Sequence, residues 1–462
     1  MTNATEPGIS ERIANWASTL TFDDLPDEVI ERSKLFLLDC VGIAFASTQF
    51  DFSRSALAAL TSLDGGGSHP VVGLRQRMSL RDATVMNGIL MHGLDYDDTH
   101  VGAVCHASTS ALPLALGMAS HRHLTGRDLL LGYVLAVEVS ARIGMAANGG
   151  FHEIGFHPTG VAGAFGCATA AAKLDGQTAA GIATAQGFVG SMAAGLLEFL
   201  DDGSWTKRAH PGLAASAGIT AAAFSRQNWQ SPAKVYEGRF GLFNTHIQTR
   251  EVDLEQCTAK LGITWEVLAN AVKPFPACHF THAFADAAMI LSKGNGLGSA
   301  DIESITAYIH PTPGAVVCEP AANKLVPKSD YDAKFSLPFV VAASIVRGTF
   351  GLRELEPASL NDPEILSLAR KVRALPDPES GFPKVYSGAI TIRTTDGREL
   401  HHREQINRGA DERPLSSGEI VAKFRENIGT ALSATAASRI ERLVLDVDSV
   451  DDAWTLAEAL AG

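Results

Sequence analysis

The sequence predicts a mainly α fold, with a large all-helical domain built from both chain ends and a smaller α+β domain between them. From residue 10 to about residue 265, apolar residues recur at helical spacing in Ala-rich segments that are punctuated by Gly and Pro. After Lys273 the pattern alternates as in strands, and from Ser416 onward it is helical again. We therefore assign residues 1–267 and 408–462 to the helical domain and residues 268–407 to the α+β domain.

The helical part carries two clear local signals. Ser79 and Asp82 have the spacing of a capping box, which predicts that a helix begins there. Glu138 and Arg142 stand four residues apart in a helix predicted for 129–143. Residues at this spacing are neighbours on a helix surface, so we interpret them as an ion pair with each other rather than as catalytic groups.

The α+β domain is predicted from strand and turn signals. Residues 302–309 alternate as a strand does, and residues 385–393 and 398–402 flank a Thr-Thr-Asp-Gly turn, which indicates a hairpin. Helices are predicted at 336–346 and 363–372.

Composition excludes several classes of protein. The chain has 462 residues, of which 46% are hydrophobic and 19% charged, so it can bury a large core and is not disordered. Its 38 Lys and Arg against 51 Asp and Glu give a net charge of −13. Without a basic block, nucleic acid is not expected as a partner, because phosphate binding needs concentrated positive charge.

No targeting, membrane or metal-cluster signal emerges. The N-terminus carries Glu6 and Glu11 and lacks an apolar run, so we expect a cytoplasmic protein. Segment 181–200 has transmembrane length, but Gln186, Glu198 and many small residues make it weakly hydrophobic. We interpret it as a buried helix and expect no membrane partner. The six dispersed cysteines contain no C-x-x-C pair, which indicates reduced thiols.

The densest polar cluster runs from His92 to His100 and continues to His106. Imidazoles and carboxylates this close together indicate a site with tuned pKa values. The alternative, a solvated loop with capping Asp residues, fits poorly with the apolar sequence on both sides. Asp95-x-Asp97-x-Thr99 also matches a phosphatase motif, but that motif follows a buried strand, whereas a helix precedes this one. A closer alternative is a helical prenyl-diphosphate enzyme, in which Asp-rich helix ends bind Mg²⁺. Such an enzyme needs a second Asp-rich helix, and the only candidate here is the Asp pair at 201–202, which is predicted to lie in a loop.

Three junctions place Lys or His beside Pro just before a predicted helix. They are 156–160 with His157, 206–212 with Lys207, Arg208 and His210, and 273–279 with Lys273 and His279. Free backbone N–H groups and the helix dipole favour an anion at such positions. One junction would mean little, but three of them together with the polar cluster favour a carboxylate or phosphate site. His279-x-x-His282 beside Cys278 lacks a second ligand pair, so we favour a helix start over a metal site there.

Several of these stretches together resemble the 2-methylcitrate dehydratase / cis-aconitate decarboxylase (MmgE/PrpD) family. The matching stretches are 38–42, 92–99, 155–160, 206–207, 273–278, 334–337 and 414–416, which span essentially the whole chain. The resemblance implies a homodimer in which an α+β lid domain accompanies the helical domain. It also implies action on a small anionic carboxylate substrate without a metal or an organic cofactor.

The resemblance carries over six catalytic positions, namely Asp95, Thr99, His106, His157, Lys207 and Lys273. His106 is less secure, because residues 100–105 depart from the family pattern and His100 is able to take its place. As candidate substrate-binding residues we add His100, Arg208, His210 and His279.

These positions form a coherent chemical hypothesis. Lys207 and Lys273 would bind substrate carboxylates and stabilise carbanion charge beside them, which water stabilises poorly. His157 and His106 would be the general base and acid, in an order that the sequence leaves open. Asp95 would orient a histidine or hold it protonated, and Thr99 would form a hydrogen bond with the substrate. Because Lys273 begins the smaller domain, we expect lid closure at the domain junction.

The leading hypothesis is a cofactor-independent hydro-lyase that acts on a carboxylate of the 2-methylcitrate or citrate type. An isomerase, an epimerase or a decarboxylase using the same site stays open, because all three share the proton-transfer groups. The rivals from other classes are an Mg²⁺-dependent prenyl enzyme and a binding protein without activity.

Overall fold

The computed structural model describes residues 6–63, 66–248 and 251–462. They form two compact units. The first contains the described residues up to Phe199 together with Trp205–Ala271 and Ser416–Gly462, and the second contains Leu200–Ser204 and Val272–Leu415. The domain limits predicted from sequence, 267/268 and 407/408, fall a few residues before the changes of unit at 271/272 and 415/416.

The described residues contain 22 α-helices and eight strands, so the predicted mainly α fold is confirmed. The helices of the first unit are Ile9–Thr19, Asp27–Ser47, Asp51–Leu63, Leu80–His92, Ser108–His121, Gly126–Ala146, Gly150–Ile154, Pro158–Leu174, Ala179–Val189, His210–Arg226, Leu242–His246, Ser417–Ile428, Ala434–Leu445 and Ala453–Leu460. Its strands form two antiparallel pairs, His69–Val71 with Leu74–Met78 and Thr99–His100 with Asn270–Ala271.

Both local signals of the helical part are confirmed. The Ser79 side chain accepts a hydrogen bond from the Asp82 backbone N–H at the start of helix Leu80–His92. Glu138 and Arg142 form an ion pair of 3.2 Å inside helix Gly126–Ala146. Arg142 also donates to backbone carbonyls far away in the chain, so this ion pair joins separate segments of the unit.

Small residues let the central helices approach closely. Gly166 in helix Pro158–Leu174 faces helix Gly126–Ala146, and a Cβ at this position would lie closer than 3.0 Å to the Ala136 carbonyl oxygen and the Ser140 hydroxyl. Real Cβ atoms essentially never approach other atoms so closely. The Ala- and Gly-rich composition of this region therefore reflects helix packing.

The predicted helix over 181–200 is wrong in its second half. The helix that contains this segment is Ala179–Val189, and residues 190–198 form turns and irregular structure. Gly195 has a φ of +139°, which only glycine adopts readily, and its carbonyl accepts the His157 backbone N–H at 2.9 Å. The small residues after Gly190 thus build a loop that supports His157.

One helix of the described chain, Gly126–Ala146, has the length and apolar character of a membrane span, but 94% of its most apolar window is buried inside the protein. Helices Asp27–Ser47 and Asp51–Leu63 together are long and apolar enough for a membrane span, but a bend of 88° separates them. Burial of this kind is typical of a core helix.

The second unit is built on a four-stranded sheet with the order Val372–Pro376, Ile302–Ile309, Gly388–Thr394 and Glu399–Glu404. The first two strands run parallel and the other neighbours antiparallel. Its helices are His282–Asn295, Pro311–Val317, Ala321–Leu325, Asp330–Lys334, Leu337–Arg347, Pro357–Leu360 and Pro363–Ala369. One more helix, Phe199–Asp202, begins with Phe199 in the first unit and continues into Leu200–Ser204 of the second unit. The predicted strand over 302–309 and the predicted hairpin are confirmed.

Two predictions in the second unit need correction. The helix predicted for 363–372 ends at Ala369, and Val372 begins a strand that pairs with the central strand of the sheet. The junction that begins at Lys273 leads first into a 3₁₀ turn, His279–Thr281, and helix His282–Asn295 follows.

Candidate active site

The polar cluster predicted from sequence is buried in the first unit. Helix Leu80–His92 ends at its first member, and the segment 93–98 then leads to the short strand Thr99–His100. The side chains of Asp97 and Asp98 are fully buried. The alternative of a solvated acidic loop is therefore wrong, because ionisable groups are buried only where other groups compensate their charge.

Asp95 and Lys207 form an ion pair within this cluster. The Lys207 Nζ lies 2.6 Å from Oδ1 of Asp95, and both side chains are buried. Asp95 has a φ of 52°, in the left-handed region that Asp adopts more readily than most residues. Lys207 comes from the 3₁₀ turn Trp205–Ala209, so the contact joins two segments that are 112 residues apart.

Asp97 lies between two imidazoles. Its Oδ2 is 2.9 Å from Nδ1 of His92 and 3.1 Å from Nδ1 of His106. Burial raises the pKa of the Asp97 carboxyl, but the two imidazoles outweigh burial and hold the pKa well below its usual range. Asp97 is consequently ionised at neutral pH.

A further set of contacts holds His106. Its Nδ1 is also 2.9 Å from the Asp98 carbonyl oxygen and 3.4 Å from the Thr99 hydroxyl. Its backbone N–H donates to the hydroxyl of Thr159 at 3.0 Å. These contacts bring the predicted residues Thr99 and His106 together.

His157 and His210 form a second imidazole pair. The two residues lie at the starts of helices Pro158–Leu174 and His210–Arg226, and their Nδ1 atoms are 3.1 Å apart. Burial, together with Lys207 and the neighbouring imidazoles, holds the pKa of His157 well below its usual value. Burial is also the main cause that lowers the pKa of His210 to about 4. Both imidazoles are therefore neutral at neutral pH.

The ring centroid of His157 lies 5.8 Å from those of both His92 and His106. One ring nitrogen from each of the three lies within 4.8 Å of the others, and a similar group is formed by one atom each of Asp95, Asp97 and His106. The contacts with Asp97 and His210 account for the ring positions without an ion, and we treat the set as a proton-transfer group.

Arg208 and His100 make protein contacts beside this centre. The Arg208 guanidinium lies over the ring of Phe52, 4.2 Å from its centroid. His100 Nδ1 accepts the Ala103 backbone N–H at 3.1 Å, and its Nε2 is 3.1 Å from a Glu266 carboxylate oxygen. Both nitrogens of His100 are thus occupied in this arrangement, and its contact with substrate stays a prediction, as does that of Arg208.

Lys273 and His279 belong to the second unit, where both are buried. The Asn407 side chain makes a hydrogen-bond contact with Nε2 of His279. The catalytic role of Lys273 and the substrate contact of His279 stay predictions.

A buried lysine, Lys423, supports the site and is not among the residues predicted from sequence. Lys423 Nζ lies 2.9 Å from both carboxylate oxygens of Asp39 and donates to the Tyr96 carbonyl at 2.7 Å. It also lies 3.9 Å from the centroid of the Tyr96 ring. Lys423 shares a helix face with Ile420 and Phe424, so a charge on an apolar face was the available signal.

Comparison with known proteins identifies the family. The model of the MmgE/PrpD N-terminal domain matches residues 11–255, and the model of the C-terminal domain matches residues 275–449. The chain belongs to the MmgE/PrpD family. The resemblance inferred from the motifs is thereby confirmed.

Relatives of this MmgE/PrpD protein match along almost its whole length. Cis-aconitate decarboxylase from Aspergillus terreus is 26% identical over 477 residues, covering 98% of this chain and 96% of the relative. The human enzyme of the same name is 28% identical over 464 residues, covering 98% and 95%. The cis-aconitate decarboxylase-like protein oryM from Aspergillus oryzae is 25% identical over 482 residues, covering 100% and 99%. These names support an enzymatic role for the chain.

Proposed function

We propose that this protein is a lyase that acts on a small di- or tricarboxylate through proton transfer at a carbon next to a carboxylate. The observation that carries the proposal is the buried Lys207–Asp95 ion pair in a cluster that also holds neutral imidazoles, His157 and His210. Family membership and relatives named cis-aconitate decarboxylase support the substrate class.

Decarboxylation of cis-aconitate or a close analogue is the first candidate reaction, because the relatives carry that name. The bond between a carbon and one carboxylate breaks, CO₂ leaves, and the electron pair stays on carbon in conjugation with a remaining carboxylate. A proton from an imidazolium then completes the product. Lys207 would stabilise the negative charge in a dry site, where a fixed cation acts more strongly than water does.

Dehydration of a citrate-type substrate is the second candidate, and the imidazoles favour it. A neutral base removes a proton from the carbon next to a carboxylate, and an acid protonates the hydroxyl that leaves as water. The lowered pKa of His157 supports it as the base. Epimerisation would use the same abstraction followed by return of the proton to the opposite face.

Proton NMR in D₂O with EDTA tests the proposal, with cis-aconitate, citrate, 2-methylcitrate and iminodisuccinate offered in turn. Loss of CO₂ with a new olefinic product identifies a decarboxylase, and new olefinic signals without loss of CO₂ identify a dehydratase. Deuterium entering a C–H position without net conversion identifies an epimerase. No change with any of the four contradicts the proposed substrate class.

Lys207→Met should abolish turnover, whereas Lys173→Met serves as the matched control. Lys173 is half-buried in the same unit and donates to the Ser18 carbonyl. It lies in the last turn of helix Pro158–Leu174, at the opposite end of the helix from His157. Equal turnover in both variants would remove Lys207 from the mechanism.

The homodimer implied by the family resemblance stays a prediction, which light scattering of the purified protein tests.

A further inference from the structure

Two carboxylates stand side by side in the site, and they differ in what they bind. Asp97 contacts the imidazoles of His92 and His106 through one oxygen, Oδ2. The Asp98 side chain instead accepts a hydrogen bond from the Asn270 amide at 2.7 Å. Both carboxylates are fully buried, so the difference lies in their partners and not in their exposure.

The contacts of Asp97 define where the protons sit. An ionised carboxylate only accepts hydrogen bonds, so an imidazole nitrogen that binds it must carry hydrogen. This requires Nδ1–H on both His92 and His106. The Asp98 carbonyl, which also only accepts, lies 2.9 Å from the same nitrogen of His106. With Nδ1–H fixed in this way, each ring gains or loses its second proton at Nε2.

The other imidazole pair has no carboxylate contact of this kind among the described residues. In His157 and His210 the two Nδ1 atoms face each other at 3.1 Å, so one donates and the other accepts. If His157 is the donor, its Nε2 keeps a lone pair. That nitrogen is buried and makes no hydrogen bond within the described part of the chain.

We propose that Asp97 is a positioning residue that joins His92 and His106 into one unit holding the proton of the general acid. His106 delivers this proton, and the neutral His157 acts as the base. The inference rests on the proposed function and deepens it, because it assigns the acid and the base and gives roles to Asp97 and His92. In the step itself a proton leaves Nε2 of His106 for the substrate, and the imidazolium becomes a neutral ring that keeps Nδ1–H on Asp97.

The surrounding charges leave Asp97 as the main anion beside these rings. Two neighbouring carboxylates, Asp95 and Asp39, are paired with lysines, namely Lys207 and Lys423. Burial raises the pKa of Asp98 to about 7, so this carboxyl is partly protonated at neutral pH. Other titratable or charged neighbours among the described residues include Arg32, Cys40, Cys105, Tyr133, His157 and His210.

An NMR titration of the substrate-free protein tests the proposal without any assay of activity. The imidazole nitrogens are labelled with ¹⁵N and followed from about pH 5 to about pH 9, a range that spans the usual pKa of histidine. His92→Gln and His106→Gln assign the signals. We expect Nδ1–H on both rings and one imidazolium shared by this pair at neutral pH, while His157 stays neutral. Neutral rings with the proton on Nε2 would overturn the proposal.

Asp97→Asn and Asp98→Asn form a matched pair, since both replace a buried carboxylate by an amide of the same shape. Loss of an opposite charge in contact lowers an imidazolium pKa by about 1–3 units. In D97N the pair should lose its proton at lower pH, and the alkaline limb of the kcat/KM profile should move down by the same amount. D98N should leave that limb close to its position in the unmodified protein. An alkaline limb at the same pH in D97N and in the unmodified protein would refute the role of Asp97.

The outcomes separate the two proposals. Titration as expected without turnover of any offered carboxylate would contradict the proposed function and leave the proton-holding unit in place. Turnover of one of these carboxylates by a protein in which His92 and His106 are both neutral would support the proposed function and contradict the proton-holding unit. Should D97N fold poorly, the titration of the unmodified protein still shows whether His92 and His106 share one imidazolium. His92→Gln retains a donor for Asp97 but holds no charge, so an unmoved alkaline limb in this variant limits His92 to a packing role.

Discussion

Removing Lys423 should destabilise the first unit far more than removing an exposed cation from the same helix. In Lys423→Met, the fully buried Asp39 loses two contacts of 2.9 Å, and the Tyr96 carbonyl loses a hydrogen bond of 2.7 Å. Breaking one partner of a buried ion pair costs about 3–5 kcal/mol, because the other charge stays buried without compensation. That is a large part of a typical unfolding free energy of about 5–15 kcal/mol.

The matched control is Arg425→Met, two residues further along helix Ser417–Ile428. Arg425 makes two contacts of 2.7 Å with Glu441, but its side chain is exposed. Exposed ion pairs contribute little, because water and salt screen them. Urea denaturation followed by circular dichroism compares the two variants. Equal midpoints would refute the argument that burial decides the contribution.

A double variant and a pH series sharpen this test. The double variant Asp39→Asn/Lys423→Met should lose less unfolding free energy than the two single variants lose together, because it contains no unpaired buried charge. Burial already raises the pKa of Asp39, and loss of Lys423 raises it further. An acid with a raised folded-state pKa binds its proton more tightly when folded, so stability falls as pH rises through that pKa. Lys423→Met should therefore lose less stability at about pH 5 than at about pH 8.

Three further predictions concern the site and the core. His157→Gln should lower turnover by about 100-fold or more, the usual contribution of a general base, with an unchanged unfolding midpoint; turnover near the normal rate would exclude the residue as the base. EDTA followed by gel filtration should leave turnover intact, and a loss that added Zn²⁺ or Mg²⁺ reverses would show that the carboxylates and imidazoles of the site hold a metal. Gly166→Ala should destabilise the protein by about 1–3 kcal/mol through overpacking against Ser140. Gly418→Ala is its control, because a Cβ there meets nothing within 4 Å, and equal denaturation midpoints would contradict the packing argument.

Local signals in the sequence predicted local structure well. The cap at Ser79 and the ion pair between Glu138 and Arg142 depend on residues three or four positions apart, and both are present in the structure. The helix predicted over 181–200 is wrong in its second half because Gly and Ala occur both in closely packed helices and in tight loops. Val372 is predicted to be helical, but its strand is decided by pairing with Ile302–Ile309, which no local pattern reveals.

The candidate site shows the same limit. The cluster from His92 to His106 is contiguous, so the sequence revealed it, but not which carboxylate binds which ring. That Asp97 binds two imidazoles while Asp98 binds Asn270 depends on the direction of neighbouring side chains in a folded loop. The pairing of Asp39 with Lys423 crosses 384 residues and leaves only one local sign, a lysine on an apolar helix face.

That long separation has a consequence for synthesis. At about 5–20 residues per second, a ribosome needs about 20–80 s to extend the chain from Asp39 to Lys423. Throughout this time the Asp39 carboxylate has no lysine to neutralise it, and helix Asp27–Ser47 has no partner helix from Ser416–Gly462 to cover it. Residues 272–415, which make up most of the second unit, emerge within the same interval. The nascent first unit thus completes its core only when the tail is made, and until then its uncovered apolar surface is open to chaperones and to aggregation.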